Sequence, residues 1–453
     1  MGAPGEAQAR SRAALSQALK GAAFTALITL GLAFPIIALR TEQDQLNNLI
    51  LIERWGLVGG LVAAAFVGRL AWSLYGGRLP ALRPGALPFA ARLSWRREVL
   101  ARVAVAFVIA YPFLAVAVAS LGGPGALKLI DNYGIQILIY VVLGLGLNIV
   151  VGLTGLLDLG YVAFYAVGAY SSALLAKTFG LSFWLVLPLA GMLAALWGLI
   201  IGLPVLRLKG DYLAIVTLAF AEIVRLVLIN WVPLTGGYAG ISNIPKPTLL
   251  GMPLGPEPGG LAVILGLPPS PLYRLVFMYY LVLGLAVMAN WVTTRLRALP
   301  VGRAWEAMRE DEIACRSLGI NAVTTKLTAF STGAFFGGIA GAFFAAHQGF
   351  ISPKSFEFME SAIIVAIVVL GGLGSQTGVA IAAIVMIGGT ELLRELNVLK
   401  ALFGADFDPA QYRMLIFGLA MVVLMIWRPR GLIARRTASI RLVGQGRAAA
   451  ARE

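Results

Sequence analysis

The sequence predicts an all-α polytopic integral membrane protein with roughly 11–12 transmembrane helices. Three observations carry that prediction. The first is composition: of 453 residues, 59% are hydrophobic and 13% charged, too few charges to coat a soluble surface. The second is run length. The apolar stretches are long and lack strict alternation, which suits spanning helices of about 20 residues rather than a barrel. The third is where the cations fall: they gather in alternate loops, as topology requires.

Taken in order, the predicted spans are 21–39, 55–76, 103–121, 133–153, 160–176, 183–206, 212–232, 272–294, 321–347, 361–373, 376–394 and 413–427. The leading MGAPGEAQARSRAALSQALK is long and basic, and no small-residue cleavage site follows the first apolar run, so an uncleaved first span is expected. Glu6 breaks the myristoylation pattern. With the N-terminus inside, the segment after the second span carries Arg78, Arg83, Arg92, Arg96 and Arg97. The segment after the eighth carries Arg295, Arg297, Arg303, Arg309 and Arg316, and the C-terminal tail is equally basic. The intervening loops are poor in cations: 233–271 holds only Lys246, and 395–412 holds Lys400 against Glu395, Asp406 and Asp408. Both ends are therefore expected inside, with an even number of spans.

Residues 1–130 read as an accessory N-terminal membrane module of about three helices, 131–432 as a transport core richer in glycine, and 433–453 as a basic cytoplasmic tail. The net charge of +15 is absorbed by this topology and calls for no nucleic acid. The single cysteine, Cys315, excludes an intramolecular disulfide, and with a single histidine, His347, it gives no support to a metal site or to Cys/His nucleophilic chemistry. Gly-Lys occurs nowhere, so the chain has no P-loop; if ATP drives it, the nucleotide site lies on another subunit.

One stretch contradicts the apolar character of the rest. GRAWEAMREDEIACRSLGI, residues 302–320, holds seven charged side chains and is too polar to enter a bilayer. Ala304, Met308, Cys315 and Leu318 fall near heptad spacing on one helical face, which Asp311 interrupts. Such a helix either lies at the headgroups or docks a soluble partner. Gly333, Gly337 and Gly341 recur every four residues, either for close helix packing or, with Phe335, Phe336 or Phe343 beside them, to line a path. GLTGLLDLG (152–160) and GGLGSQTG (371–378) are two similar glycine-rich breaks, each linking an inward to an outward span. Glu222 sits mid-span with Arg225 three residues on, as a structural ion pair or part of a gate. Arg69 can snorkel inward, and His347 reads as a satisfied polar residue or a proton relay.

GLNIVVGLTGLLDLGYVAFYAVGAY (146–170), GDYLAIVTLAFAEIVR (210–225), LTGGYAGISNIPKP (234–247), GRAWEAMREDEIACRSLGIN (302–321), KLTAFSTGAFFGGIAGAFFAAHQGFISPKSF (326–356), VVLGGLGSQTGVAIAAIV (368–385) and RPRGL (428–432) resemble the Liv-type M permeases of bacterial branched-chain amino acid ABC importers. The resemblance runs from about 131 to 432. It implies an ABC importer permease fold in the bacterial inner membrane, paired with a homologous Liv-type H permease. Two ATPases, Liv-type F and G, would bind ATP and Mg, and a periplasmic binding protein would deliver leucine, isoleucine or valine. No cofactor is expected on this chain. The charged stretch then resembles an ATPase-coupling helix, with Glu306, Ala307, Met308, Arg309, Asp311, Cys315, Leu318 and Gly319 as its residues, although Gly319 stands at the wrong distance for the EAA loop of other importers. A translocation path or gate is expected among Asn148, Gly155, Phe164, Tyr165, Glu222, Arg225, Phe335, Gly337 and Gly374. A urea or short-chain amide importer of the same family is the alternative. An ion-coupled secondary transporter, with Glu222 as its coupling carboxylate, is the alternative of another class.

Overall fold

The computed structural model describes residues 39–43, 49–53, 55–75, 94–120, 125–205, 210–248, 270–395 and 431–433, with scattered positions elsewhere. The predicted spans at 21–39 and 413–427 fall largely outside the described residues. The chain separates into two compact units, Met1–Ala101 and Arg102–Glu453.

The first unit contains an element that the all-helical expectation did not include. Strands β1 (Leu39–Gln43) and β2 (Leu49–Glu53) pair antiparallel, Leu39 opposite Glu53 and Gln43 opposite Leu49. Ile50 and Ile52 are the β-branched residues of β2 that favour a strand. Helix α1 (Trp55–Tyr75) follows, where the second span was predicted. Helix α2 (Ser94–Ser120) crosses the unit boundary.

The second unit is a helical bundle built around α3, which runs Ala126–Leu153. All residues from 141 to 150 are buried, so this helix is apolar on every side because protein surrounds it. It widens into π-helical turns at Leu129–Ile135 and Asn148–Leu153, a feature frequent at functional sites. After a break come α4 (Val162–Thr178), α5 (Phe183–Val205), α6 (Asp211–Asn230) and α7 (Leu272–Ala298). Two short helices, α8 (Pro300–Glu310) and α9 (Glu312–Ser317), precede the long α10 (Ala322–Gln348). Helix α11 (Phe358–Gly371) and α12 (Gln376–Ala383) complete the described bundle; α12 continues through a π-turn into Gly389–Glu395. A short antiparallel pair, β3 (Ile241–Ser242) with β4 (Phe350–Ile351), ties the loop after α6 to the end of α10.

Five helices among the described residues are long and apolar enough to cross a membrane: α3, α5, α6, α7 and α10. The seam of α10 against α4 and α5 is set by glycine. A Cβ on Gly338 would meet the Ala194 side chain and, at 2.8 Å, the Ala190 carbonyl; one on Gly168 would strike the Gly338 backbone, and one on Gly341 the Tyr165 carbonyl. The backbones therefore approach as close as small-residue packing allows.

Candidate functional site

The charged stretch folds as two helices, and this corrects the single helix expected over 302–318. Pro300 starts α8 at a first-turn position that needs no N–H partner. Asp311 then takes an extended conformation (φ −157°) and caps α9: its Oδ1 accepts from Ile313 N at 2.8 Å and Ala314 N at 3.0 Å. The interruption at Asp311 is thus a helix junction.

The apolar stripe of this pair turns inward. Met308 and Cys315 are buried together against Ala322, and Trp305 donates its indole N–H to Thr325 O at 3.1 Å. Met308 and Cys315 therefore hold the pair to its own bundle and cannot present a face to a partner, which corrects their placement in a docking stripe. Leu318 departs from the stripe: it is 80% exposed, and Ile313 is 76% exposed. Gly319 follows with φ 83° and open space around it.

Three charged links fasten the pair to the bundle. Arg297 at the end of α7 bonds Glu306 at 2.8 Å. Glu312 pairs with the buried Lys326 of α10 at 2.8 Å and also with Arg316. Burial raises the Glu312 carboxyl, but hydrogen bonding and charge from Lys326 and Arg316 outweigh it and hold the group below its ordinary value. Arg309 reaches furthest: its Nη1 donates to Gly152 O at the last turn of α3.

Arg309 stands where the two glycine-rich breaks meet. A Cβ on Gly155 would lie 3.1 Å from Arg309 Cγ, and one on Gly374 would lie 3.4 Å from Arg309 Nη1. Both glycines hold positive φ, 74° and 84°, so they combine a left-handed turn with close approach. Asn148 closes the junction by accepting from Gly374 N at 2.8 Å, while its buried Nδ2 has no hydrogen-bond partner. Arg297 Nη1 also donates to Gly374 O at 3.4 Å. Asn148, Gly155, Arg309 and Gly374 thus form one cluster at the end of the bundle carrying α8 and α9.

The other expected path residues are distributed elsewhere. Phe164 and Gly337 face each other across the α4–α10 seam, where a Cβ on Gly337 would lie 3.2 Å from Phe164 Cβ. Phe335 lines an apolar groove of about 480 Å³ between α5, α7 and α10. Glu222 and Arg225 pair on the outward side of α6, beside exposed Ile223 and Leu226, rather than in the bundle interior. Tyr165 lines a polar cavity near the opposite end of α10. Sequence reasoning missed Asp158: it is fully buried, its Oδ1 accepts from Gly160 N at 2.8 Å, and Oδ2 has no partner. Its signal was available, a lone carboxylate in GLLDLG.

A family model described as the branched-chain amino acid transport system permease component matches residues 129–425, and a second, described as a domain of unknown function, matches 17–113. The Escherichia coli (strain K12) high-affinity branched-chain amino acid transport system permease protein LivM is 52% identical over 310 residues, 67% of this chain and 70% of that one. A probable branched-chain amino acid transport permease protein LivM of Methanocaldococcus jannaschii is 30% identical over 258 residues, 55% of this chain and 69% of its own length. No solved structure matches the chain. The matched region runs from Leu129 within α3 through α12 and includes the whole Arg309 junction, and the chain belongs to the family of permease components of branched-chain amino acid transport systems.

Proposed function

We propose that the chain is the membrane permease of an ATP-driven, binding-protein-dependent importer of leucine, isoleucine and valine, and that α8 and α9 couple it to the ATPases. A permease component is not itself an enzyme. As part of an ABC system it works with ATPase and binding-protein components; the finer assignment is a Liv-type H permease, Liv-type F and G ATPases that hold ATP and Mg, and a periplasmic binding protein. Both termini lie in the cytoplasm on this reading, which puts α8 and α9 on the ATPase side of the bacterial inner membrane, as the arginine-rich loops favour.

The observation that carries the coupling role is the Arg309 junction. Charged and buried contacts seat the helix pair, so a push on it is delivered to the loops at 152–155 and 371–378 rather than lost in its own motion. Those loops end α3 and begin α12, so the push changes how two spans lean against the rest. Ile313 and Leu318 are the most exposed large apolar side chains of the pair, with Val301 less so, and they are the ATPase contact. The cargo is tested by uptake in a strain deleted for the gene and complemented, with labelled leucine and urea supplied separately, with and without ATP depletion. ATP-dependent leucine uptake lost on deletion and restored by complementation is expected. Loss of urea uptake alone would move the cargo to the urea reading.

A further inference from the structure

A second site lies at the far end of α10 from the Arg309 junction. A partly open cavity of about 240 Å³ lies among the π-turn of α3, the C-terminal end of α10, the start of α11 and the side of α4. Its polar wall carries two carboxylates. Asp131 meets His347 Nε2 at 2.7 Å, and Glu360 accepts from the Tyr140 hydroxyl. Gln136 and Gln348 add amide donors to the lining. The remaining wall is apolar or aromatic: Ile139, Phe344 and the buried ring of Tyr165, whose centroid is 5.4 Å from that of Phe344.

This combination sits at the end of the bundle, where the Asp131 side chain is half-exposed and Glu360 lies in the first turn of α11. It divides into three chemistries: carboxylates that attract an ammonium, with aromatic faces able to assist them; amide N–H groups that donate to a carboxylate; and an aliphatic and aromatic surface for a branched side chain. The volume admits several waters, and therefore a small solute of comparable size. The π-turn at Leu129–Ile135 brings Asp131 to the opening. Such π-turns concentrate at functional sites.

We propose that this cavity is a substrate site for the zwitterionic head and aliphatic side chain of a branched α-amino acid, with Glu360 and Asp131 holding the ammonium. This inference rests on the importer reading above. Cargo released by the binding protein enters at this end, is held by its ammonium, and passes inward when the helices around the cavity shift. The site therefore determines how much amino acid moves per ATP, while the binding protein determines which solutes arrive.

The test uses the complete importer reconstituted in proteoliposomes with its binding protein. Leucine transported and ATP hydrolysed are measured together for wild type, Glu360→Gln, Glu360→Asp and Tyr140→Phe. A diazirine analogue of leucine is photolysed on the same complexes. For Glu360→Gln, leucine per ATP is expected to fall about tenfold, the loss of one charge-assisted hydrogen bond. Stimulated ATP hydrolysis should stay near wild type, which also shows that the variant assembles. Glu360→Asp should recover part of the flux, and the photolabel should map to 131–140 or 344–360 and be displaced by leucine. Unchanged leucine per ATP in Glu360→Gln, or a label mapping to other segments, would overturn the site. A wild-type complex that hydrolyses ATP and carries no leucine would overturn the importer reading instead, before any variant is compared.

Discussion

Arg309 and Lys326 both tie the helix pair to the bundle, by different physics. Lys326 is buried and its charge is neutralised by Glu312, so Glu312→Ala leaves a buried cation unpaired. The expected loss is about 3 kcal/mol, because breaking one side of such a pair leaves the desolvation cost of the other uncompensated. The same pair sets a pH dependence. The Glu312 carboxyl titrates below its ordinary value when folded, so its contribution is complete above that ordinary value. It fades as pH falls through the lowered one. Thermal unfolding of wild type and Glu312→Gln across acid pH checks this: the two curves should converge as pH drops, and parallel curves would exclude the pair as the cause. Arg309 instead donates to a backbone carbonyl and packs along Gly155. The arginine and both glycine-rich breaks were legible as motifs, but their meeting was not, because Arg309 bonds a residue 157 positions away and Gly374 one 226 positions away. Asp158 was overlooked because it lies in a break between spans, outside the segments tested for intramembrane charge.

At the scale of elements, glycine decides the packing. A Cβ on Gly341 would strike the Tyr165 backbone, whereas one on Gly284, inside α7, would meet nothing within 4 Å. Gly341→Ala is therefore expected to cost about 1–3 kcal/mol by overpacking. Gly284→Ala should gain about 0.5–1 kcal/mol from helix preference alone. Thermal unfolding of the two variants in one detergent measures both, and equal destabilisation would contradict the seam. The heptad spacing in 302–318 correctly marked an amphipathic segment but misassigned its apolar face. A stripe of Met308 and Cys315 looks the same in sequence whether it meets a partner or its own core. The break at Asp311 was visible, yet its role depends on a cap formed with Ile313 N and Ala314 N, which requires the backbone geometry. The β1–β2 pairing was missed because its apolar strand reads equally well as the flank of a span.

For the molecule as a whole, the Arg309 junction and the cavity beside Glu360 lie at opposite ends of α10, and both are working ends only as proposed above. Composition and the length of the apolar runs made the membrane class readable, because it follows from solvation of backbone and charge. Which side chains meet across the bundle did not follow from those rules. Ile313 and Leu318, exposed while Met308 and Cys315 are buried, give the docking proposal its own test. Asp at both positions is expected to weaken ATPase attachment by about 2 kcal/mol, roughly 30-fold, in pull-downs of the solubilised complex, with the thermal stability of the permease unchanged.

Whether force passes from the ATPases through α8 to both glycine-rich loops, as proposed, is decided by the number of leucine molecules moved per ATP by the reconstituted importer carrying Arg309→Met. Met keeps the aliphatic packing beside Gly155 and removes the donor to Gly152 O. The expected result is an assembled complex that still hydrolyses ATP but moves far less leucine per ATP. A ratio equal to wild type would contradict it and release Arg309 from the coupling path.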